Sequence, residues 1–136
     1  MTKRVMFVCT GNSARSQMAE GLARKMGRGK IEVFSAGLEP KGLHPIAVKV
    51  MGDIGIDIST QTSKVIDADM LRSMDVVITL CGDARDRCPV LPPGMVHVHW
   101  PLPDPAAAEV PEDEVIEAFR DVRIQLQQRI AGLLSE

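Results

Sequence analysis

The sequence lacks the features that mark several large classes of protein. Its 136 residues carry a net charge of −2, and this near balance argues against an extended nucleic-acid surface, which is strongly basic. No apolar stretch approaches the ~20 residues that a membrane span needs, and the apolar run after the basic start is too short for a signal peptide. We therefore expect a cytoplasmic protein without nucleic-acid or membrane partners.

Aromatic residues and cysteines are also few. The chain has no tyrosine, one tryptophan and three phenylalanines. Its three cysteines, Cys9, Cys81 and Cys88, cannot all pair within one chain, and thiols stay reduced in the cytoplasm. A structural disulfide framework is therefore not expected, and the cysteines are predicted to be inert, metal-binding or reactive.

What the sequence does contain is typical of a soluble globular protein. Apolar residues make up 45% of the chain and charged residues 25%, which are ordinary values. The length predicts a single domain over residues 1–136, which we expect to be monomeric. We find no internal repeat, low-complexity tract or linker, and the proline-rich run "PLPDPAAAEVP" at 101–111 is predicted to be a stiff loop.

Strand and helix patterns alternate along the chain. Short apolar runs predict strands over 4–9, 31–37 and 75–81, and a run of mixed polarity predicts an edge strand over 95–100. Apolar spacing and helix-start signals predict helices over 18–26, from about Pro45 to a stop near Gly52 to Gly55, over 67–73 and over 115–133. This alternation predicts an α/β fold built on a parallel, doubly wound sheet of four strands.

Three chemically capable side chains converge on one edge of the predicted sheet. Cys9 ends the first strand, Cys81 ends the third, and Asp104 lies in the loop after the fourth. Because ligands of open parallel sheets bind outside the carboxyl ends of the strands, these three positions indicate a candidate site at that edge.

The first strand runs directly into "CTGNSARS", of which residues 10–16 are called the anion loop below. A loop that leads into a helix can hold an anion, because backbone N–H groups and the helix N-terminus point at it. The Arg15 guanidinium can bind two oxygens of a tetrahedral oxyanion, and the same positive environment stabilises a Cys9 thiolate. The predicted oxyanion-binding residues are Gly11, Asn12, Ser13, Ala14, Arg15 and Ser16.

Individual residues of the anion loop have separate predicted roles. Ser13 and Ser16 are predicted to donate hydroxyl hydrogen bonds to the Cys9 thiolate, and Asn12 is predicted to brace the loop through its amide. Gly11 is predicted to allow a conformation that a β-carbon would hinder. The alternative, that Cys9 is a packed core thiol, is disfavoured by the loop and the helix start that follow it.

A zinc site is an alternative function for the other two cysteines. Cys81 and Cys88 could join His97 and His99 in a Cys2His2 set. The six residues between the two cysteines make a wide spacing for such a site, so no metal is expected.

The anion loop resembles the Cys-x5-Arg-Ser active-site loop of the low-molecular-weight protein tyrosine phosphatase fold, and more closely that of thioredoxin-coupled arsenate reductases. The likeness extends over "SAGLE" (35–39), "VVITLCGDA" (76–84), "CPVLPP" (88–93) and "DPA" (104–106). It implies a three-layer αβα sandwich and no bound cofactor. The three cysteines together point to the reductase more specifically than the loop alone does.

The resemblance implies a disulfide relay that detoxifies arsenic. Cys9 attacks arsenate while Asp104 protonates the departing oxygen. Cys81 then attacks Cys9 and releases arsenite, and Cys88 attacks Cys81, which leaves a Cys81–Cys88 disulfide for thioredoxin to reduce. Arsenate and thioredoxin are therefore the expected substrate and partner.

Two other functions compete with the relay. A low-molecular-weight tyrosine phosphatase, acting through a phosphocysteine at Cys9, needs an aromatic wall and usually has a tyrosine after Asp-Pro, where this chain continues "DPAAAEV". A non-catalytic oxyanion-binding module would leave Cys81 and Cys88 unexplained. We expect an arsenate reductase with weak phosphatase activity on small aryl phosphates.

Two positions depart from the family pattern. Ala14 stands where many relatives have a further cysteine, which the relay does not use. Lys64 stands where some relatives have an aspartate thought to help bind a potassium ion, and Asn12, Glu20 and Ser35 look like the rest of that site. A lysine ammonium near Glu20 could replace the ion, so we expect weak or absent stimulation by potassium.

Overall fold

The first strand is buried on both faces. In the computed structural model, which describes residues 3–81, 95–105 and 111–135, Val5, Met6, Phe7 and Val8 have no solvent exposure. The helices and strands of these residues are, in chain order, β1 (Lys3–Cys9), α1 (Arg15–Met26), β2 (Ile31–Gly37), α2 (Pro45–Gly52), α3 (Ala68–Arg72), β3 (Val76–Thr79), β4 (Val96–His99) and α4 (Glu112–Leu134).

The four strands form one parallel sheet in the order β2-β1-β3-β4. β1 lies between β2 and β3, and because its side chains are buried on both faces of the sheet, its apolar run is continuous rather than alternating. β4 lies at an edge and begins with exposed residues, as its mixed polarity predicts. The α/β class and the four-stranded parallel sheet are confirmed.

The long helices pack against one another beside the sheet. α1 contacts β1 and β2, and α2 and α4 each contact α1 and each other. The buried side chains of α4 repeat at helical spacing and are Phe119, Val122, Leu126 and Ile130, which is the apolar stripe that the periodicity predicts. Within the described ranges, none of the helices combines the length and apolar character that crossing a membrane requires.

The prediction that β3 extends over 75–81 and ends on a cysteine is wrong. The strand ends at Thr79, where the pairing with β4 stops at the Thr79–His99 pair. The apolar run continues through Leu80, whose N–H still donates to the Val8 carbonyl at 2.9 Å, but the ladder pairs with both neighbours end at Thr79. Cys81 therefore lies two residues beyond the strand, beside the end of β1.

Candidate active site

The anion loop leaves the sheet at the carboxyl end of β1, between the strands on either side. This is the topological switch point of the sheet, where ligands of α/β proteins bind. Cys9 is the last residue of β1 and is only 2% exposed. The nucleophile predicted from the sequence is therefore a buried thiol that borders on the loop.

The carbonyl groups of the anion loop point away from its centre. Three of them accept backbone N–H groups of the segment that follows β2: Glu39 donates to Thr10 at 2.8 Å, Lys41 to Gly11 at 2.9 Å and His44 to Ser13 at 3.0 Å. Within the part of the chain that the structure describes, the backbone N–H groups of residues 11–16 donate to no backbone carbonyl in a turn, loop or cap. These N–H groups are therefore available to an anion.

The start of α1 carries no negative charge of its own. Its first turn has no acidic residue and its N-cap, Ala14, has no side-chain cap, whereas the first turn of α4 has three acidic residues, Glu112, Asp113 and Glu114. Acidic residues and caps normally satisfy a helix N-terminus. The missing charge at α1 leaves the positive end of that helix for a ligand.

Ser16 is oriented to donate to Cys9. Its Oγ lies 2.9 Å from the Cys9 Sγ and accepts a hydrogen bond from the Asn12 Nδ2 at 2.7 Å. Because the amide already donates to this oxygen, the serine hydroxyl proton is free to point at the sulfur. Ser13 was predicted to share this role, but in the structure it lines the cavity without a hydrogen bond to Cys9.

Asn12 braces the loop, and it takes the unusual backbone conformation that was predicted for Gly11. Its φ is 45°, in the left-handed region that asparagine tolerates through local hydrogen bonds. Its Oδ1 accepts the Lys64 backbone N–H at 2.8 Å, and its backbone carbonyl accepts the buried Gln17 amide at 2.9 Å. A β-carbon on Gly11 would only touch the Lys41 side chain, at 3.4 Å or more.

A chain of buried polar groups extends from Asn12 away from the cavity. The Asn12 Nδ2 donates to Ser35 Oγ at 3.1 Å, and Ser35 donates to Glu20 Oε1 at 2.5 Å. The Glu20 side chain is 6% exposed, and its carboxylate faces Arg24 at 2.8 Å and the Lys64 Nζ at 3.8 Å. The Lys64 ammonium therefore lies near Glu20, where the family resemblance led us to expect a lysine in place of a potassium ion.

The cavity beside the anion loop has a volume of about 480 Å³. Cys9 and much of the loop line it, and Lys41, His44 and Asp104 join them from other segments. Arg15 is 11% exposed, with its Nη1 donating to the Leu102 carbonyl at 3.1 Å and its Nη2 4.0 Å from the Asp104 Oδ2. The guanidinium is therefore fixed at the rim of the cavity.

Aromatic residues stay out of this cavity. Among the residues that the structure describes, no phenylalanine or tryptophan lines it. Phe7 and Phe119 are fully buried, and Trp100 is 7% exposed with its ring centre 6.0 Å from that of Phe7. The site therefore offers charge and hydrogen-bond donors rather than a flat apolar wall.

Three lining residues were not predicted from the sequence: Thr10 of the anion loop, and Lys41 and His44 from the segment after β2. His44 caps α2, because its Nδ1 accepts the Ile46 backbone N–H at 3.1 Å. Burial lowers the pKa of His44 below its usual value, and the carboxylate of Asp104 acts more weakly in the opposite direction. The available signal was a histidine directly before Pro45, in the segment that follows β2, whose carboxyl end faces the same edge.

Cys81 lies beside the anion loop, and Cys88 lies outside the described residues. The Cys81 Sγ is 3.2 Å from the Oγ1 of Thr10, the residue next to Cys9. Cys81 is 9% exposed. A second buried thiol thus adjoins the loop of the predicted nucleophile.

The two histidines of the alternative zinc site share one hydroxyl group. Thr79 Oγ1 lies 3.1 Å from the His97 Nε2 and 2.9 Å from the His99 Nδ1. In residues 3–81, 95–105 and 111–135, no three His, Cys, Asp or Glu side chains are grouped so that they could hold a metal ion. The fourth residue of that set, Cys88, is outside these ranges.

Gly37, the last residue of β2, lies against the backbone of the anion loop. A β-carbon on Gly37 would be 2.7 Å from the Asn12 backbone nitrogen and 2.9 Å from the Thr10 carbonyl oxygen. A β-carbon does not come that close to other heavy atoms, and both neighbours are backbone atoms that cannot rotate away. Any larger residue at this position must therefore displace the loop.

We expect Gly37→Ala to lower the free energy of unfolding by about 1–3 kcal/mol, as overpacking does. Urea unfolding followed by circular dichroism measures the change. Gly52→Ala is the control, because a β-carbon there would meet nothing within 4 Å and alanine is favoured over glycine in helices. Equal stability of Gly37→Ala and the unaltered protein would contradict the close approach.

Comparison with known proteins places these features in context. The model of the family described as low molecular weight phosphotyrosine protein phosphatase matches residues 4–136. An arsenate reductase of Bacillus licheniformis is 53% identical over 128 residues, which are 94% of this chain and 92% of that protein.

Solved structures show the same similarity. An arsenate reductase in the phosphate-binding state has 45% identity and a TM-score of 0.79, with 98% of each chain covered. The thioredoxin-dependent arsenate reductase of Corynebacterium glutamicum has 32% identity and a TM-score of 0.72, with 99% of this chain and 64% of that chain covered. The similarity extends over nearly the whole of this chain.

Proposed function

The chain belongs to the low molecular weight phosphotyrosine protein phosphatase family, and from that premise we propose that it is a thioredoxin-dependent arsenate reductase. The observation that carries the proposal is the second thiol: the Cys81 Sγ lies 3.2 Å from Thr10 in the anion loop. Phosphate transfer through a phosphocysteine needs one thiol, whereas reduction of arsenate needs two electrons, which two thiols supply as they become a disulfide. Relatives at 53%, 45% and 32% identity are arsenate reductases.

The anion loop supplies the binding half of the mechanism. Arsenate takes the place of a tetrahedral anion among the free N–H groups of residues 11–16 and the Arg15 guanidinium. The Cys9 thiolate, held by the Ser16 hydroxyl, attacks the arsenic atom, and an arsenic–oxygen bond breaks. Asp104, whose carboxyl faces Arg15 at 4.0 Å, gives its proton to the departing oxygen, which leaves as water.

The thiols supply the redox half of the mechanism. The Cys81 sulfur attacks the Cys9 sulfur, and the electron pair of the sulfur–arsenic bond passes to arsenic, which leaves as arsenite. Thr10 can donate its hydroxyl hydrogen bond to the Cys81 sulfur and so favour the attacking thiolate. Cys88 then exchanges with the Cys9–Cys81 disulfide, and the dithiol of thioredoxin reduces the resulting Cys81–Cys88 disulfide. The proposed reaction uses no bound cofactor. We place it in the cytoplasm, where thiols are kept reduced.

Phosphatase activity is the second candidate, and it is expected only as a side reaction. The same anion loop suits phosphate, and a relative at 45% identity has been solved in a phosphate-binding state. The described lining of the cavity contains no phenylalanine or tryptophan, so a phosphotyrosine ring would find little to pack against. Small aryl phosphates should therefore be hydrolysed slowly.

One comparison of electron donors tests the proposal. Arsenate-dependent oxidation of NADPH is measured with thioredoxin and thioredoxin reductase, and separately with glutathione and glutaredoxin. We expect turnover with thioredoxin and its complete loss in Cys9→Ser. Rapid hydrolysis of aryl phosphates without any arsenate-dependent oxidation would instead favour the phosphatase.

Potassium should not stimulate this reaction. The Lys64 ammonium lies 3.8 Å from the Glu20 carboxylate and donates to the Thr62 carbonyl at 2.7 Å, so a positive charge already faces the buried carboxylate. We expect equal rates in potassium and sodium chloride at matched ionic strength. Strong activation by potassium over sodium would contradict this assignment.

A further inference from the structure

The segment over residues 38–44 forms a wall of the oxyanion cavity that lies outside the anion loop. Its three backbone hydrogen bonds to the Thr10, Gly11 and Ser13 carbonyls fix it beside that loop. Two of its side chains, Lys41 and His44, line the cavity together with Cys9 and the loop. Their position is therefore set by the backbone rather than by side-chain contacts alone.

Lys41 brings a positive charge to this wall. Its aliphatic stem lies over Gly11, with the Cδ, Cγ and Cβ atoms 3.4, 3.5 and 3.7 Å from where a β-carbon of that glycine would be. Among the described residues, no carboxylate lies within the 4.0 Å of an ion pair with its ammonium group. Lys41 is an exposed residue, so its stem lies over the loop while no described carboxylate competes with a ligand for its charge.

The other basic groups of the cavity are partly engaged or neutral. Arg15 donates to the Leu102 carbonyl at 3.1 Å and lies 4.0 Å from the Asp104 Oδ2, so only part of its guanidinium is open to a ligand. The His44 Nδ1 accepts the Ile46 backbone N–H, which places the proton of the neutral ring on Nε2. Protonating Nδ1 would break the cap of α2, and burial also disfavours the cation.

We propose that Lys41 is a specificity-determining residue, the second cation that makes this cavity prefer doubly charged tetrahedral anions over singly charged ones. The inference rests on the proposed function only in that the cavity binds an oxyanion. Arsenate, phosphate and sulfate carry the double charge near neutral pH or above, whereas perchlorate has the same shape and a single charge. One added positive charge stabilises a dianion about twice as strongly as a monoanion.

Protection of Cys9 from alkylation measures this preference without arsenate reduction. In a Cys81→Ser, Cys88→Ser background Cys9 is the only cysteine of the chain, so its rate of reaction with iodoacetamide reports on the cavity. The slowing of this rate by sulfate, phosphate or perchlorate gives the dissociation constant of each anion. Lys41→Gln, Lys41→Arg and the exposed control Lys49→Gln are compared in that background.

We expect Lys41→Gln to raise the dissociation constants of sulfate and phosphate about two- to fivefold, the range of an exposed charge interaction. The constant for perchlorate should rise less, Lys41→Arg should bind the dianions as the background protein does, and Lys49→Gln should be unchanged. Circular dichroism should show that all three variants are folded.

Three results would overturn the inference. Unchanged dianion binding in Lys41→Gln would show that the ammonium does not act on the ligand. Equal weakening of sulfate and perchlorate, or equal weakening in Lys41→Arg, would show that the side chain acts through shape instead of charge. If no anion protects Cys9 even in the background protein, the oxyanion site of the proposed function falls as well.

Discussion

A Cys88→Ser variant is expected to reduce about one equivalent of arsenate per protein and then stop. In the proposed relay, arsenite leaves when Cys81 attacks Cys9, and the resulting disulfide is opened by Cys88. A serine hydroxyl cannot take part in thiol–disulfide exchange. Because Cys9 and Cys81 are 2% and 9% exposed, the bridge between them is also poorly accessible to an external dithiol. The bridged form should therefore accumulate.

Two measurements on the Cys88→Ser variant test this expectation. Arsenite released in a single addition of arsenate gives the stoichiometry, and peptide mapping without reductant identifies the bridge between Cys9 and Cys81. Cys81→Ser is the matched control, because it should form no such bridge and release no arsenite. Sustained turnover of Cys88→Ser with thioredoxin would refute the relay.

Local patterns predict most of the fold because most of its elements are locally consistent. The apolar side chains of α4 repeat at helical spacing along the helix, and β1 is an unbroken apolar run. Each pattern therefore indicates a single type of secondary structure. The end of β3 could not be predicted in this way. The apolar run continues past Thr79, but the ladder pairs with both β1 and β4 end at that residue. Where a ladder ends depends on how neighbouring strands are placed, and the local run does not encode this.

Part of the candidate site could likewise be predicted from local sequence, and part of it could not. Cys9, Arg15 and the helix start lie within one short loop, so their spacing alone indicates an anion site. The supporting contacts come from distant segments: the Lys64 backbone holds Asn12, and the segment with Lys41 and His44 lies along the loop carbonyls. Such contacts depend on how β2 and its following segment pack, which no local pattern encodes.

Asp104→Asn should slow the arsenate step by about 10²- to 10⁴-fold, the usual contribution of a general acid. Asparagine has nearly the same shape, but it cannot release a proton to the departing oxygen. Asp104 is 46% exposed at its side chain and lies at the cavity rim, so the exchange should leave the fold unchanged. The loss should therefore appear in the rate of chemistry and not in the urea midpoint.

Measuring arsenite formation and disulfide reduction separately makes the test specific for the proton transfer from Asp104. Rapid-quench measurement of arsenite formation reports the step that Asp104 serves, while reduction of the preformed Cys81–Cys88 disulfide by thioredoxin involves no departing oxygen and should keep its rate. Asp121→Asn, an exposed carboxylate on α4, is the control for loss of one charge. A fall of less than about tenfold in arsenite formation, or an equal fall in both half-reactions, would remove Asp104 from the role of general acid. The proton would then have to reach the departing oxygen from solvent.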